Sequence, residues 1–336
     1  MTKLGVWYDF RNPAEGRMPW RELYTGLLDQ AVLAEQIGFD SIWVSEHHFT
    51  EEGYLPSLAP MLAVLSQRTS KVKLGTAVLL APLHHPLRLA EDMALVDQLS
   101  GGRLEIGMAP GYRPEEFEVL GVPKKQRGRR TDETIELLQL AWKGARFSYH
   151  SEHFNFDDVI VAPPPYTDGG PPLWIGGSSK FSAARAAKYG CGFMSDSGAS
   201  IDVYGEYRSS YQGAVGPRVA TNRVLFAASS HEMAWEEAGE SLLYQFNCYR
   251  KWFADATDAD THGGVVTDYR ALSAAHYFVG TPDEIVEAIR AAEREFGFEE
   301  LIFWARPPGM RLEVSTRSLE LIAKEVLPAV SGSSAQ

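Results

Sequence analysis

Short apolar runs alternate with longer amphipathic stretches along most of the chain. The runs are rich in β-branched and aromatic residues, which is typical of buried strands. They are 4–8, 39–44, 72–78, 104–108, 173–175, 191–195, 218–228 and 301–304. After each run apolar residues recur at helical spacing, which predicts a helix. These helices are 20–37, 58–68, 87–99, 127–143, a segment ending at 189, 201–213, 231–250 and 312–327, with one more beginning at the capping sequence 281–284.

The alternation of strands and helices predicts a parallel sheet. Eight units favour an α/β fold of the closed kind, a single (β/α)8 TIM barrel, although spacing alone leaves an open doubly wound sheet as an alternative. Two insertions interrupt the alternation, 145–172 after strand 4 and 254–278 after strand 7. The first is aromatic and then Pro-rich, which predicts a hairpin and a loop. We expect one barrel over 1–330 and a disordered tail at 331–336.

The composition narrows the class of protein. A net charge of -12 over 336 residues argues against non-specific binding to nucleic acid or to an anionic membrane. Cys191 and Cys248 lie in no metal-binding or redox spacing, which predicts reduced thiols. No apolar run reaches the roughly 18 residues of a membrane span, and the first residues lack a signal-peptide pattern. We expect a cytoplasmic protein without nucleic-acid or membrane partners.

The strand at 39–44 is followed directly by Glu46, His47 and His48. An isolated His-His pair is most often a surface feature. At the C-terminal end of a barrel strand, however, an acid beside two imidazoles favours an acid/base or ligand-positioning role. A metal site needs a further ligand, and although His84 and His85 follow the next strand, no His-Glu-x-x-His or His-x-His spacing is present. We predict no metal.

The segment Gly176–Ser179 ends a strand and opens a helix, which is an ordinary capped turn or an anion site. Ser178, Ser179 and Ser182 add hydroxyl donors to it. A second helix begins with Arg127, Arg129 and Arg130, where the helix dipole disfavours cations. A bound anion compensates such a placement, and a solvated basic face is the alternative for Arg129.

Two further stretches are candidate walls of an active site. The loop 111–117 carries Glu116, a candidate catalytic carboxylate, although such loops are as often plain surface connections. The small residues at 75–78 allow a flat ring to approach the backbone. Trp7, Tyr112 and Trp304 are either walls of an apolar substrate pocket or core residues.

Several motifs, in order along the chain, resemble the bacterial luciferase-like family of flavin-dependent monooxygenases. They are Glu46–Gly53, Leu74–Ala77, His85–Pro86, Val96–Ser100, Gly102–Leu104, Pro172–Ser178 and Val279–Glu284. The resemblance covers about 3–330, nearly the whole chain. Where luciferase has a reactive cysteine and an arginine after the fourth strand, this chain has Ala109 and Pro110, which favours a non-luminescent member.

The resemblance implies reduced flavin mononucleotide, FMNH2, bound at the C-terminal mouth of the barrel. Glu46 then corresponds to the flavin-contacting acid and His47 to the catalytic histidine. The segment Ala77–Val78 corresponds to a non-proline cis peptide under the flavin ring. The phosphate contacts fall on Gly177, Ser178, Ser179 and Ser182, with an arginine from either Arg127 or Arg130.

The resemblance also implies a reaction. A separate reductase supplies FMNH2, and O2 adds at flavin C4a to give a peroxide that oxygenates a small organic substrate. His47 assists proton transfer and Glu46 helps fix its ring, while the insertion 254–278 closes over the site as a lid. Two alternatives remain at this point: hydride transfer with the deazaflavin F420, and a flavin-binding subunit without activity. We expect a homodimer packed through the helices near 58–68 and 87–99.

Overall fold

The computed structural model describes residues 2–195, 198–257, 265–272 and 277–332, and in this part of the chain strands alternate with helices. The strands are β1 (Lys3–Tyr8), β2 (Ser41–Val44), β3 (Lys73–Leu80), β4 (Leu104–Ala109), β5 (Phe147–His150), β6 (Asn155–Val159), β7 (Leu173–Gly176), β8 (Gly192–Ser195), β9 (Val219–Ala227), β10 (Tyr277–Gly280) and β11 (Glu300–Trp304). The helices are α1 (Trp20–Gln36), α2 (Leu58–Arg68), α3 (Pro86–Ser100), α4 (Pro114–Val119), α5 (Arg127–Ala141), α6 (Lys180–Lys188), α7 (Ile201–Ser210), α8 (His231–Thr257), α9 (Pro282–Phe296), α10 (Leu312–Leu321) and α11 (Leu327–Ser331).

Eight of these strands close into a parallel barrel. Their order around it is β1, β2, β3, β4, β7, β8, β9 and β11. The ring closes where Ser195 of β8 pairs with Thr221 of β9, and where Trp304 of β11 pairs with Trp7 of β1. The predicted (β/α)8 barrel with insertions after strands 4 and 7 is therefore confirmed, and the open sheet is excluded.

The strand β10 is one that the sequence pattern does not predict. It pairs with the last four residues of β9, Val224–Ala227, whereas Ala220–Arg223 of β9 pair with β11. Four residues that run directly into a helix cap are too few to show a strand period. The cap itself is confirmed, because Thr281 Oγ1 accepts from the Glu284 N–H at 3.4 Å and Glu284 Oε2 accepts from the Thr281 N–H at 2.8 Å.

The two insertions differ in how far the structure describes them. The first contains the predicted hairpin, in which β5 and β6 are antiparallel and Tyr149 lies opposite Phe156. In the second, α8 continues to Thr257 instead of ending near 250. The parts of the predicted lid at 258–264 and 273–276, and the tail residues 333–336, lie outside the described residues. Ser331, which we had placed in the tail, ends α11.

Tryptophan indoles fill the interior of the barrel. Trp43 and Trp174 meet edge to face with ring centroids 6.5 Å apart, and both are fully buried. Neighbouring strands make room with glycine: a Cβ at Gly75 would lie 2.3 Å from the Trp43 ring, and one at Gly192 would lie 2.2 Å from Trp174. The filled interior leaves the C-terminal mouth of the barrel as the place for a site.

Candidate active site

A cavity of about 1020 Å³ opens at the C-terminal ends of the barrel strands. Its wall is built by residues at the ends of β2, β3, β4, β7 and β9 and by α8. This volume is at the upper end of the ~300–1,000 Å³ typical of small-molecule sites. Active sites of (β/α)8 enzymes lie at this face, so the cavity is the candidate active site.

One end of the cavity is lined by small polar residues. Ser179 caps α6 by accepting a hydrogen bond from the Ser182 N–H at 3.2 Å. Gly177 has a φ of 141°, and a Cβ there would lie 2.5 Å from Ser182 Oγ, so the turn requires glycine. Backbone N–H groups and hydroxyls at a helix start form an anion site. The predicted phosphate contacts Gly177, Ser178, Ser179 and Ser182 lie together here, and we call this set the serine end.

Cations accompany the serine end. Arg127, one of the two predicted arginines, lines the cavity together with Lys125 and Arg185. The Arg185 Nε donates to Asp132 Oδ1 at 2.7 Å, which fixes the guanidinium. The sequence does not single out Arg185, because a basic residue late in a helix also complements the helix dipole. Its position three residues after Ser182, on the same helix face, was the available signal.

Arg130, the alternative phosphate ligand, points elsewhere. Its Nε donates to Gln126 Oε1 at 3.1 Å, and its guanidinium lies over the Phe154 ring at 5.5 Å from the centroid. Phe154 belongs to the connection between β5 and β6, so the hairpin insertion holds Arg130 away from the cavity wall. The structure therefore separates the two predicted arginines: Arg127 lies on the cavity wall, and Arg130 packs on Phe154.

The end of β3 forms a small-residue part of the wall. The Ala77–Val78 peptide bond is cis, as the resemblance implies, and both residues line the cavity. The next two strands, β4 and β7, carry glycine at close approaches: a Cβ at Gly107 would lie 2.2 Å from Thr76 O, and one at Gly176 would lie 2.7 Å from Val78 Cγ1. Small side chains here leave a surface on which a flat ring fits.

Glu46 lies buried after β2 and is held by two imidazoles. His48 Nε2 lies 2.6 Å from its Oε1, and His84 Nε2 lies 2.9 Å from Oε1 and 3.0 Å from Oε2. The Leu80 N–H donates to Oε2 at 2.9 Å. Burial alone raises the pKa of this carboxyl, but His84 and His48 outweigh burial and lower the pKa of Glu46 to about 2. Glu46 is therefore ionised at neutral pH, with both oxygens already accepting hydrogen bonds.

The same contact acts on His84. Burial lowers the pKa of this imidazole, but the neighbouring Glu46 carboxylate raises it by more, so the pKa of His84 is raised overall. The two side chains form an ion pair when His84 is protonated.

Glu116, and not Glu46 as predicted, orients the His47 ring. Its Oε1 lies 2.8 Å from His47 Nδ1, and Glu116 has no solvent-exposed surface. Because a carboxylate only accepts hydrogen bonds, it requires the proton of the neutral imidazole on Nδ1 and leaves Nε2 as the acceptor nitrogen. Nε2 lies 3.4 Å from the Tyr112 hydroxyl, and both residues line the cavity.

The carboxylate of Glu116 is itself fixed. Its Oε1 accepts from the His48 N–H at 2.9 Å and from Arg113 Nη1 at 3.2 Å. Glu116 lies behind His47 and not on the cavity wall, so it is a positioning residue. We call Glu46, His47, His48, His84 and Glu116 the imidazole end of the cavity.

The last turns of α8 cover the cavity, a position that the sequence pattern does not predict. Phe253 lines it and stacks on Tyr112 with ring centroids 4.6 Å apart. Trp252 lies against His47 with centroids 5.1 Å apart. These aromatic residues continue the helical period beyond 250, but the polar residues after them obscure the pattern. We call Tyr249, Trp252 and Phe253 the roof.

An aromatic wall lies beside the roof. Trp7 and Trp304, both predicted as candidate walls, line the cavity and stack with centroids 3.8 Å apart. The Trp7 Nε1–H donates to Ser45 Oγ at 2.5 Å, Ser45 Oγ lies 2.6 Å from the Tyr54 hydroxyl, and this lies 3.2 Å from the Tyr249 hydroxyl. Burial raises the pKa of Tyr249 to about 12, so its hydroxyl stays protonated. The wall therefore presents aromatic rings, with its hydroxyls joined in a hydrogen-bonded chain.

Within the described residues, no group of three or more His, Cys, Asp or Glu side chains is placed to hold a metal ion. In the same residues no helix combines the length and the apolar character that crossing a membrane requires. Cys191 and Cys248 are free thiols.

Comparison with known proteins identifies the relatives of this chain. The profile of the luciferase-like monooxygenases matches residues 2–300. The oxygenase component of the flavin-dependent trigonelline monooxygenase of Acinetobacter baylyi is 29% identical over 336 aligned residues, which cover 93% of this chain and 91% of that protein.

Two solved structures have the same fold over their full lengths. The monooxygenase RslO1 of Streptomyces bottropensis superposes with a TM-score of 0.86 at 25% identity, covering 98% of this chain and 100% of that one. The oxygenating constituent of the 3,6-diketocamphane monooxygenase of Pseudomonas putida, a type II Baeyer–Villiger monooxygenase in complex with FMN, has a TM-score of 0.80 at 20% identity, covering 97% and 98%. At 20% identity, the similarity to the second structure shows a shared fold and nothing more.

Proposed function

The chain belongs to the luciferase-like monooxygenase family, a family of flavin-dependent enzymes, and from this premise we propose that it is the oxygenase component of a two-component system. It takes reduced FMN from a separate reductase and uses O2 to place one oxygen atom in a small organic substrate. The observation that carries the proposal is the arrangement of one cavity between an anion-binding serine end and the His47–Glu116 pair.

The residues of the cavity fit FMN. The serine end and Arg127 offer hydroxyls, a helix start and a guanidinium, which suit the dianionic phosphate. Arg185 adds a second guanidinium nearby. The small residues Ala77 and Val78 offer a surface for the flat ring. When bound, reduced FMN supplies the activation of O2.

His47 is the residue that moves protons. Its Nε2 faces the cavity, 3.4 Å from the Tyr112 hydroxyl, while Glu116 holds Nδ1, so Nε2 exchanges a proton at a fixed position. Glu46 does not share this task, because a carboxyl with a pKa of about 2 stays ionised at the pH where imidazole titrates. Its role is to hold the rings of His48 and His84 in place and to keep a fixed negative charge beside the Ala77–Val78 surface.

The roof excludes water from the reacting atoms. The Phe253–Tyr112 stack and the Trp252–His47 contact place apolar rings between the cavity and solvent. Opening of the end of α8 would admit substrate.

Three finer features are part of the proposal. A separate reductase is supported by the relative that is itself an oxygenase component. A homodimer through α2 and α3 is supported by exposed apolar side chains on these helices, Val64, Leu95 and Leu99. Work in the reducing cytoplasm is supported by the two free thiols.

The test is an anaerobic titration with reduced FMN, followed by admission of O2 and absorbance spectra over time. We expect saturable binding and a reoxidation course that differs from that of free flavin, with little H2O2 released. The Arg127→Ala variant should weaken binding, whereas Arg130→Ala serves as the matched control. Tighter binding of reduced F420, with turnover indifferent to O2, would replace oxygenation by hydride transfer. Reoxidation indistinguishable from free flavin would contradict the proposal.

A further inference from the structure

A buried side-chain amide on α8 faces the cavity. Gln245 is 3% exposed and lies on the cavity wall. Neither its Oε1 nor its Nε2 has a hydrogen-bond partner among the residues that the structure describes. Buried polar groups in folded proteins are nearly always paired, so this exception points to a partner that comes from outside the chain.

A second amide on β9 shows the same feature. Asn222 lines the same cavity, and its Oδ1 is buried without a partner within the described ranges. It lies two residues after Ala220, which packs in the barrel interior with Ile302, so its side chain is on the inward face of the strand. Both amides thus belong to the cavity, one on a strand and one on the helix that covers it.

The amides lie at the aromatic side of the cavity and away from the Ala77–Val78 surface, the proposed place of the flavin ring. Gln245 is one helical turn before Tyr249, whose ring lies 6.2 Å from that of Trp304. In the barrel, β9 is four strands from β3 in either direction, so Asn222 is across the barrel from the Ala77–Val78 surface. A ligand that reaches these amides lies between aromatic rings and opposite that surface.

The chemistry of the amides defines what they bind. Gln245 offers two N–H donors and a carbonyl acceptor, so a partner must carry an acceptor and a donor side by side. A carboxylate only accepts, and it would leave the Gln245 and Asn222 carbonyl oxygens unpaired beside a negative charge. A carboxamide or a lactam carries both an N–H donor and a carbonyl acceptor, so it pairs with the carbonyl and the NH2 group of Gln245.

We propose, building on the proposed function, that Gln245 and Asn222 are the substrate-recognition residues of this enzyme. The substrate is an aromatic or heteroaromatic ring that carries a neutral amide group, as a carboxamide or a lactam. The ring packs against the aromatic wall and the amide group pairs with Gln245. This pairing satisfies the Gln245 Oε1 and Nε2, two buried atoms for which the described part of the chain supplies no partner.

The test uses three probes with the same ring: benzamide, benzoate and acetophenone. Their dissociation constants are measured by isothermal titration calorimetry on the full-length protein, with and without bound FMN. We expect benzamide to bind about tenfold more tightly than either of the others, since only it satisfies both ends of Gln245. Equal affinity for the three probes would mean that an ordered water satisfies the amide, and would overturn the assignment.

The same titrations are made on Gln245→Leu and Gln245→Met, with Gln139→Leu on the exposed face of α5 as the matched control. The two variants should lose about tenfold in benzamide affinity and keep that for acetophenone within about twofold, whereas the control should change neither. Their melting temperatures should not fall, because an unpaired buried amide is removed. An unchanged benzamide affinity would refute the role of Gln245.

FMN affinity is measured in parallel to separate this inference from the proposed function. If Gln245→Leu weakens FMN binding as much as benzamide binding, the amide serves the flavin and the substrate assignment is wrong. If the wild-type protein fails to bind FMN but still prefers benzamide, the proposed function fails while the recognition site stands.

Discussion

The serine end and the imidazole end of the cavity use polar groups in opposite ways. At the serine end, hydroxyls and the start of α6 line the cavity, with Arg127 beside them. At the imidazole end, the carboxylates of Glu46 and Glu116 are already paired with imidazoles. The first region is built to accept an anion from outside. At the imidazole end the carboxylates and imidazoles pair with each other. Only the Nε2 of His47 is turned to the cavity, which suits proton transfer more than ligand binding.

The comparison predicts that substitutions at the imidazole end change the rate of product formation and leave the affinity for FMN unchanged. His47→Ala should lower product formation by about 10²–10⁴-fold, the usual contribution of a positioned acid or base. FMN affinity should stay within about twofold, because His47 is not among the groups that suit the phosphate. The measurement is 18O incorporation from 18O2 in a single turnover, alongside an FMN titration, with a substrate found among aromatic amides.

The control for this experiment is His150→Ala, an exposed histidine on the hairpin β5–β6. It should leave both readouts unchanged. A His47→Ala variant that forms product normally, or that loses FMN affinity in proportion to rate, would erase the distinction between the two ends.

Substitutions at the serine end should weaken FMN binding and leave the rate of product formation at saturating FMN unchanged. Arg127→Ala is expected to raise the FMN dissociation constant about 10- to 100-fold, since a charge-assisted hydrogen bond to phosphate contributes about 1.5–3 kcal/mol. At saturating FMN its rate of product formation should recover. Arg130→Ala, which removes a guanidinium packed on Phe154, should leave FMN affinity within about twofold. The reverse ranking of the two variants, in fluorescence titrations with FMN, would show that the placement of Arg127 is not functional.

A smaller effect is expected from the residue behind His47. Glu116→Gln keeps the size of the side chain but removes the negative charge 2.8 Å from Nδ1. We expect kcat to fall about tenfold and the pH profile of product formation to move to lower pH, because the imidazolium loses its counter-charge.

Glu115→Gln is the matched change on the same helical turn, at an exposed carboxylate paired with Arg113. It should reproduce neither effect. A pH profile of Glu116→Gln that coincides with wild type, together with a lower kcat, would reduce Glu116 to a packing role.

The smallest expected effect is on the free energy of unfolding and comes from the Glu46–His84 pair. The lowered pKa of Glu46 contributes stability above its ordinary pKa of 4.5, and this is lost as pH falls towards 2. The raised pKa of His84 contributes stability below its ordinary pKa of 6.5, and this is lost as pH rises through the raised value. The Glu46–His84 pair therefore stabilises the fold most between about pH 4.5 and 6.5.

His84→Gln should lower the free energy of unfolding in that window by about 1 kcal/mol or less, because a third of the His84 side chain meets solvent. The difference from wild type should shrink above and below the window. Urea titrations at pH 3, 5.5 and about 9 measure it. A difference that is the same at all three pH values would assign the effect to packing instead of charge.

The features that the sequence predicts are those with a local cause. The strand–helix alternation, the turn at Gly177 and the cap at Thr281 each depend on a few neighbouring residues, and the structure contains all three. Ser179 and Arg127 each lie at a helix start, which the local sequence indicates, but only the fold brings the two helix starts to the same cavity.

The features that the sequence does not reveal join distant segments. His47 and Glu116 are 69 residues apart, and Tyr54 and Tyr249 are 195 apart, so no local period connects them. The mistaken partner for His47 was its neighbour Glu46, which the fold turns towards His84 instead. Arg130 was equally plausible by spacing until the hairpin supplied Phe154 as its contact.

The helix α8 runs from the outside of the barrel to its mouth. Its first half buries Ala234, Ala238 and Leu242 against the β9 side of the barrel, and its last turns carry the roof. A helix of 27 residues is about 40 Å long, so this one element joins two distant parts of the protein. The packing of its first half therefore helps to set where the rings of its last turns lie against His47. Residues remote from the cavity thus share in positioning the catalytic imidazole.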